Sequence, residues 1–413
     1  MFLTRLTCTN FRSYEAVDLE LGPGVAVLAG PNGYGKTNLV EAVYYLATLG
    51  SHRVGTDTPL IRAGCESATV AARVRAGVDD DRTLTVAIEI RSGAANRAQL
   101  NQAGVRPREI VGAIRCVSFA PEDLAIVRGD PAERRRFLDE LVIARWPRLA
   151  GVRSEFERAL KQKTALLKAL SGRSVRAAGA GAEAALGAWD EALVTYGAEL
   201  VVARLRTVTD VAPHVVEDYG AIAPVGTPAG VRYESSYLPA ELTGGPDGGA
   251  GPGQFLDTDP AGPAGGGDEG TVLPGVAPAV DDVRAAMMAA LERRREDEIA
   301  RGVCLVGPHR DDLGLSLGEL PVKGYASHGE GWSYALALRL ASLDVLHDDG
   351  VDPVLILDDV FAELDEQRRA RVVAAMASVE QALVTVAVPR DLPDNLQAQM
   401  FEVGRGYVTA VGT

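Results

Sequence analysis

Residues 30–37 read Gly-Pro-Asn-Gly-Tyr-Gly-Lys-Thr, which satisfies G-x-x-x-x-G-K-[ST] at every fixed position. The flanks of this run decide the fold. Val25 to Ala29 is a short apolar strand that leads into it. After it, Leu39, Val40, Val43, Tyr44 and Ala47 recur at helical spacing, and Gly50 is the expected stop. Strand, glycine loop and helix together form a setting in which backbone N–H groups turn inward around a β-phosphate. The helix N-terminus adds its dipole. Gly30, Pro31, Asn32, Gly33, Tyr34, Gly35, Lys36, Thr37 and Asn38 are therefore the expected ATP-binding residues. Lys36 is placed to bridge β- and γ-phosphates, and the Thr37 hydroxyl to bind Mg2+.

A matching half lies near the other end. Pro353-Val-Leu-Ile-Leu-Asp358-Asp359 is a continuous apolar run ending in two carboxylates. Such a run reads as a parallel strand buried on both faces, and ligands gather at the carboxyl ends of such strands. Asp358 there is expected to hold Mg2+, and Asp359 to polarise the attacking water. Between the two halves, Ser327-His-Gly329-Glu330 opens a helix with an apolar face of Tyr334, Leu336, Leu338 and Leu340 to Leu343. Taken alone, Ser followed three residues later by Glu is a capping box.

Composition bounds the rest. The chain has 413 residues, 47% hydrophobic and 24% charged, an ordinary globular balance with length for two or three domains. No charged-then-apolar leader opens it, and no run approaches the roughly 18 apolar residues of a membrane helix, so a cytoplasmic protein is expected. Cys8, Cys65, Cys116 and Cys304 are scattered, and the five histidines form no H-x-x-x-H pair. Free thiols are expected, and a zinc centre has no support. The net charge of −14 argues mildly against coating nucleic acid by charge alone, although it says nothing about distribution.

Texture suggests three parts. Residues 1–120 read mostly as strands around one helix, with Leu84 to Ile90 alternating as a half-buried strand. Residues 121–300 turn helical, with helices expected over Pro131 to Leu149, Val152 to Leu170, Ala182 to Val208 and Asp281 to Arg301. No heptad runs far enough for a long coiled-coil arm. Within this part, 244–270 holds 11 glycines, 4 prolines and 5 acidic residues in 27, and reads as a flexible acidic insertion. Residues 301–413 alternate strand and helix: Val303 to Val306, Glu330 to His347, Val354 to Leu357, Asp365 to Ala377, Leu383 to Val388. That alternation implies a parallel sheet.

The order of motifs resembles the ABC ATPase superfamily: phosphate loop, Ser-x-Gly-Glu helix start, acid-ended strand, then Glu363-Leu364-Asp365. The resemblance narrows through Asn10-Phe-Arg-Ser-Tyr14, Gly50-Ser-His-Arg53, Phe119-Ala-Pro-Glu-Asp-Leu124, the Gly129 to Asp139 stretch with its Arg134-Arg-Arg136 run, Gly307-Pro-His-Arg-Asp-Asp-Leu313 and Leu357 to Asp365. Together these are similar to the RecF family of bacterial recombination mediators, over essentially the whole chain. The insertion at 244–270 is the chief departure, and no family role is carried onto it.

The resemblance implies an α/β ABC-type ATPase head: a β-rich N-terminal lobe on a parallel core sheet, plus a helical second lobe without a long coiled coil. It implies ATP and Mg2+ as cofactors and ATP-driven homodimers on double-stranded DNA near single-strand gaps. It further implies action with RecR and RecO to help load RecA, and no membrane. By motif, Ser327, Gly329 and Glu330 act in trans on the ATP of the other subunit, Asp365 runs along the dimer interface, and Arg12 lies near the nucleotide. Many such heads have glutamate where Asp359 stands. The shorter side chain implies slow, DNA-stimulated hydrolysis, with ATP as a switch.

Arg134, Arg135 and Arg136 head a basic cluster that also includes Arg145, Arg148, Arg153, Lys161, Lys163 and Lys168. These residues are candidates for salt-dependent DNA contact. The competing reading is pairing with carboxylates such as Glu133, Asp139 and Glu140. A transporter ATPase subunit is the first alternative function. It is disfavoured because the strand at Leu383 to Val388 runs into Pro389-Arg390-Asp391 with no switch histidine. A small-molecule kinase is the second, and it leaves Ser327 to Glu330 unexplained.

Overall fold

The computed structural model describes residues 1–171, 180–223, 226–239, 243, 278–393 and 396–411. The acidic insertion expected at 244–270 lies outside them. Strands β1 (Phe2–Phe11), β2 (Tyr14–Glu20), β3 (Gly24–Ala29), β4 (Ser67–Gly77), β5 (Asp80–Arg91), β6 (Arg97–Leu100), β7 (Ala103–Val105) and β8 (Cys116–Phe119) come first, with helix α1 (Lys36–Thr48) after β3. Helices α2 (Leu124–Arg128), α3 (Pro131–Arg145), α4 (Leu149–Leu170) and α5 (Ala180–Ile222) follow. Next come β9 (Ala229–Glu234), α6 (Val280–Arg301), β10 (Asp312–Leu317), β11 (Leu320–Pro321) and α7 (His328–Asp348). The chain closes with β12 (Val354–Asp358), α8 (Glu366–Ala377), β13 (Gln381–Val386), β14 (Ala398–Gly404) and β15 (Tyr407–Ala410).

Contacts divide the chain into two compact units. Met1–Gly151, Asp210–Val231 and Leu315–Thr413 form the first; Val152–Thr209 and Arg232–Gly314 form the second. The boundaries read from texture at 120 and 300 follow composition, whereas this division follows packing, and α3 falls in the first unit.

The first unit holds two six-stranded sheets. One is antiparallel, in the order β2-β1-β4-β5-β6-β7. The other runs β15-β14-β3-β13-β12-β8, parallel from β14 to β8 and antiparallel only at β14–β15. Every residue of β12 and β13 is buried, as continuous apolar runs require in a sheet covered on both faces. Gln381 joins the sheets: its Nε2 donates to the carbonyls of Leu3 (2.9 Å) and Gly22 (2.8 Å), and its Oε1 accepts from Leu3 N at 2.8 Å. A buried amide so fully partnered fixes register without a desolvation penalty.

In the second unit, Gly197 of α5 allows close helix contact. A Cβ there would stand 2.6 Å from Met287 Cε of α6 and 3.3 Å from Phe156 of α4. At the centre, Lys163 Nζ lies 2.8 Å from Asp190 and 2.6 Å from Glu298, all three fully buried, and Arg295 reaches Asp190 at 2.5 Å. The exposed cation that the sequence offered at Lys163 is therefore an internal one.

Several element limits differ from the sequence expectation for identifiable reasons. The helix expected to reach Leu149 stops at Arg145 because Pro147 forces Trp146 out of helical geometry (φ −128°, ψ 82°). α1 ends at Thr48, two residues before Gly50, with Leu49 taking the left-handed position (φ 55°). α5 runs past Val208 and accommodates Pro213 inside it. Val303 to Val306 forms no strand. Its backbone is satisfied by side chains instead: Arg310 Nε and Nη2 donate to the Cys304 carbonyl (3.1 and 2.9 Å), and Glu298 accepts from Leu305 N (2.7 Å).

Candidate functional site

The strand order β3-β13-β12 carries the glycine loop and the acidic strand end to the same edge. Ala29 pairs with Val386 and Thr385 with Asp358. There the two distant motifs touch: Thr37 Oγ1 donates to Asp358 Oδ1 at 3.0 Å, across 321 residues of chain. Thr385 donates its hydroxyl to the same oxygen at 2.6 Å. Asp358 is 3% exposed, and burial lifts its pKa above the usual carboxylate range despite the two hydroxyl donors.

The loop itself demands glycine. Gly33 and Gly35 have φ of 81° and 105°. A Cβ on Gly35 would come within 2.7 Å of Ser13 Oγ and 2.9 Å of Tyr14 Oη. Lys36 folds over the loop, donating to the Gly30 carbonyl at 2.7 Å and to Asn32 Oδ1 at 3.1 Å. Burial lowers its pKa, against the pull of Asp359 and Asp358. Asn38 Nδ2 donates to Ser13 Oγ at 2.9 Å. Asn32, Gly33, Tyr34, Arg62 and Arg405 line an adjoining cavity of about 650 Å³, with the Arg405 guanidinium 5.4 Å from the Tyr34 ring centre.

Asp359 takes φ 55°, and its N–H donates to Thr385 Oγ1 at 2.9 Å. Aspartate and asparagine tolerate that left-handed geometry better than longer side chains do. The conformation is thus compatible with aspartate at this position. Arg12 is also left-handed (φ 52°), and its guanidinium meets buried Glu41 of α1 in a two-point contact at 2.8 and 2.5 Å. Burial works to raise the pKa of Glu41, but hydrogen bonds from Arg12 and Ser51 outweigh it and hold the pKa low. Arg12 is thus fixed to the helix that carries Thr37, with Arg53 Nη1 reaching Asn38 Oδ1 at 3.0 Å beside it.

Ser327 caps α7 by a complete capping box. Its Oγ accepts from Glu330 N (3.3 Å) and its N donates to Glu330 Oε2 (2.7 Å). Asp365 caps α8, accepting from Arg368 N at 2.9 Å. Arg368 ties the two helix starts together: Nη2 donates to the Gly329 carbonyl (3.0 Å), Nε to Ser333 Oγ (3.1 Å), and Nη1 lies 3.4 Å from Asp365.

Of the basic cluster, Arg134 is buried and donates to the Gly129 carbonyl (3.2 Å), while Arg136 lies 2.6 Å from Glu133 and 3.8 Å from Glu140. Arg135 is half-buried and has an interaction partner. Arg145 is buried between Asp210 (2.7 Å) and Asp349 (2.8 Å). Of the carboxylate pairings weighed in the sequence, the structure has that of Arg136 with Glu133 and Glu140.

Sequence reasoning missed Thr385, Arg368 and Glu41. Thr385 carried a faint signal, as a lone hydroxyl in the apolar run of β13. Arg368 and Glu41 carried none, because their partners come from other elements.

The donor set suits a hard cation: a hydroxyl and a buried carboxylate, all oxygen. Among the described residues no cluster of three or more His, Cys, Asp or Glu is arranged to hold a metal, so phosphate oxygens would have to complete the shell. No helix among them is long and apolar enough to cross a membrane.

A phosphate loop, an acid-ended strand one place removed across β13 and a serine-capped helix define, with this mixed sheet, an ABC-type ATPase head. Residues 2–398 match the family model described as RecF/RecN/SMC N terminal domain. The chain is 48% identical over 413 residues to the DNA replication and repair protein RecF of Cutibacterium acnes, covering 99% of this chain and 98% of that one. It is 47% identical to the protein of the same name from Rhodococcus erythropolis, covering 98% and 93%. A solved structure of the recombination mediator protein RecF-ATP in the RecFOR pathway superposes with a TM-score of 0.79 at 22% identity, covering 99% of each chain. The chain belongs to the RecF family.

Proposed function

We propose that this chain is an ATP-dependent DNA-binding protein of recombinational gap repair. ATP draws two copies together on double-stranded DNA near single-strand gaps, and the dimer works with RecR and RecO to assist RecA loading. The observation that carries the reading is the meeting of Thr37 with Asp358 beneath Lys36, which brings phosphate-binding and cation-binding groups to one point. The names of the two curated relatives and the RecFOR pathway of the solved relative support the pathway assignment.

In this reading Gly30 to Asn38 cradle the triphosphate through backbone N–H groups. Lys36 exchanges its Gly30 and Asn32 contacts for phosphate oxygens. Thr37 and Asp358 would hold Mg2+, which would neutralise phosphate charge. Asp359 accepts a proton from the attacking water, and its left-handed backbone fixes where its short side chain can reach. Arg12 orients α1 through Glu41. Ser327, Gly329 and Glu330 present a helix N-terminus to the triphosphate of a second copy, and Asp365 borders the same face. Hydrolysis is slow, and ATP acts as a switch.

Sedimentation of the wild type and Lys36→Met, with and without ATP and gapped DNA, tests this. Dimers that form and bind DNA only in the wild type with ATP are the expected result. Monomers under every condition would reject the reading.

A further inference from the structure

The basic residues of the first unit that the sequence singled out are engaged within the fold. The second unit offers a different set. Arg293, Arg294 and Arg301 line one cavity of about 270 Å³ together with Ser236, Tyr237 and Leu305, and among the described residues no carboxylate lines it. In a chain with 56 acidic and 42 basic residues, a cavity whose described lining holds three guanidinium groups and no acid is a local reversal of sign.

On α6, 301 is seven residues from 294 and eight from 293, two turns on in each case, and these spacings place the three arginines along one side of the helix. Glu292, Glu296, Asp297 and Glu298 lie within one turn of them. Yet Glu298 faces inward to Lys163, and only Arg294 forms an ion pair, with Asp297 at 3.1 Å. Among the described residues Arg293 and Arg301 have no ion-pair partner, and both are exposed. Arg295, on the opposite side, is the one turned inward, to Asp190. Helix α6 therefore separates its charges into an inner pairing set and an outer set directed at a cavity.

We infer that Arg293, Arg294 and Arg301 form a phosphate-binding cleft that takes the backbone of duplex DNA. Guanidinium groups suit phosphate because their planar donors match its oxygens in pairs. Tyr237, the aromatic residue among the described lining, is buried, so the contact is made through the exposed guanidinium groups and positions DNA without selecting sequence. This inference rests on the DNA-binding part of the proposed function and assigns that binding to a site distinct from Arg134 to Arg136.

The test compares full-length wild type with the triple variant Arg293→Ala/Arg294→Ala/Arg301→Ala, titrating duplex DNA at several salt concentrations. Each lost phosphate contact lowers the salt slope by about one, so the variant is expected to lose about three from the slope and at least about tenfold in affinity, equally across sequences. ATP binding, measured in parallel, stays at the wild-type level and shows that the variant is folded. A variant with unchanged affinity and slope overturns the cleft while leaving the DNA reading intact. A wild type that binds no duplex overturns both. Inorganic pyrophosphate binding that vanishes in the variant while DNA affinity holds would make the cleft a small-anion site and overturn the DNA assignment.

Discussion

Two buried charged centres, one in each unit, follow opposite plans. Lys163 is enclosed by Asp190 and Glu298, and Arg295 supplies a second cation to Asp190. Asp358 is buried almost as deeply, but it faces two hydroxyl groups and, among the described residues, forms no ion pair. Taking a charge out of water is costly, and a fold recovers that cost only by pairing. The closed centre in the second unit is architecture. The open one in the first unit leaves a carboxylate poised beside a hydroxyl, at the edge where a phosphate loop ends. Unbalanced burial, more than burial itself, marks the place where chemistry is expected.

The largest effect should come from breaking the closed centre. Lys163→Met leaves Asp190 and Glu298 buried with less counter-charge and is expected to cost about 3–5 kcal/mol of stability by denaturant titration. Adding Glu298→Gln to that variant should recover part of the loss. ATP affinity of the folded fraction should not change. A Lys163→Met protein as stable as the wild type would remove the contrast between the two centres.

The open centre should respond in reverse. Asp358→Asn is expected to reduce ATP turnover by about 10²–10³-fold, the scale of removing one preorganised charge contact, with stability unchanged or increased. The sign follows from linkage. A carboxyl group whose pKa is raised by folding contributes stability that is fully present below its unfolded value and is lost as pH rises through its folded value. Asparagine removes that loss, so the melting temperature of the variant should gain on the wild type as pH rises above the unfolded carboxylate value. A variant that is less stable at pH 7 would show Asp358 to be structural after all.

The same contrast explains what was legible in the sequence. The glycine loop, the β12 run and the Ser327 capping box depend on neighbours in sequence, and each could be read directly. Thr385 could not, because its role depends on β13 lying between β3 and β12, an order fixed by long-range pairing. Val303 to Val306 has strand composition, but the side chains of Arg310 and Glu298 claim its backbone. Lys163 and Arg134 look like surface cations in sequence, and only the packing of other helices reveals them as buried. Local motifs specify the open centre, whereas the closed centre is assembled entirely from distant residues.

Arg368 tests whether the two helix starts act as one body. Its contacts to Gly329, Ser333 and Asp365 hold the caps of α7 and α8 in a fixed relation. Arg368→Ala is expected to weaken ATP-induced dimers about tenfold, about 1.4 kcal/mol, in sedimentation. ATP affinity of the monomer should stay unchanged, since none of these contacts touches Gly30 to Asn38. Equal loss of both would mean a general loosening of the unit.

A third centre lies between the two plans and should give the smallest effect. Asp218, at the end of α5, is paired with Arg371 at 2.5 Å but also lies near Asp344 of α7. Burial is the main cause that pushes its pKa up to about 6. The Arg371 hydrogen bond opposes that rise, and the Asp344 charge adds to it. One cation serving two acids leaves the centre half closed. Its contribution to stability is therefore greatest below the unfolded carboxylate value and is lost as pH rises through about 6. Asp344→Asn removes the like charge and offers an amide donor, so the Asp218 titration followed by carboxyl NMR should move down from about 6. Each unit of that movement corresponds to about 1.4 kcal/mol. The variant should accordingly melt higher than the wild type above pH 6 and equal to it near pH 4. A stability difference that is the same at both pH values would assign the shift to burial alone and make Asp218 a second open centre.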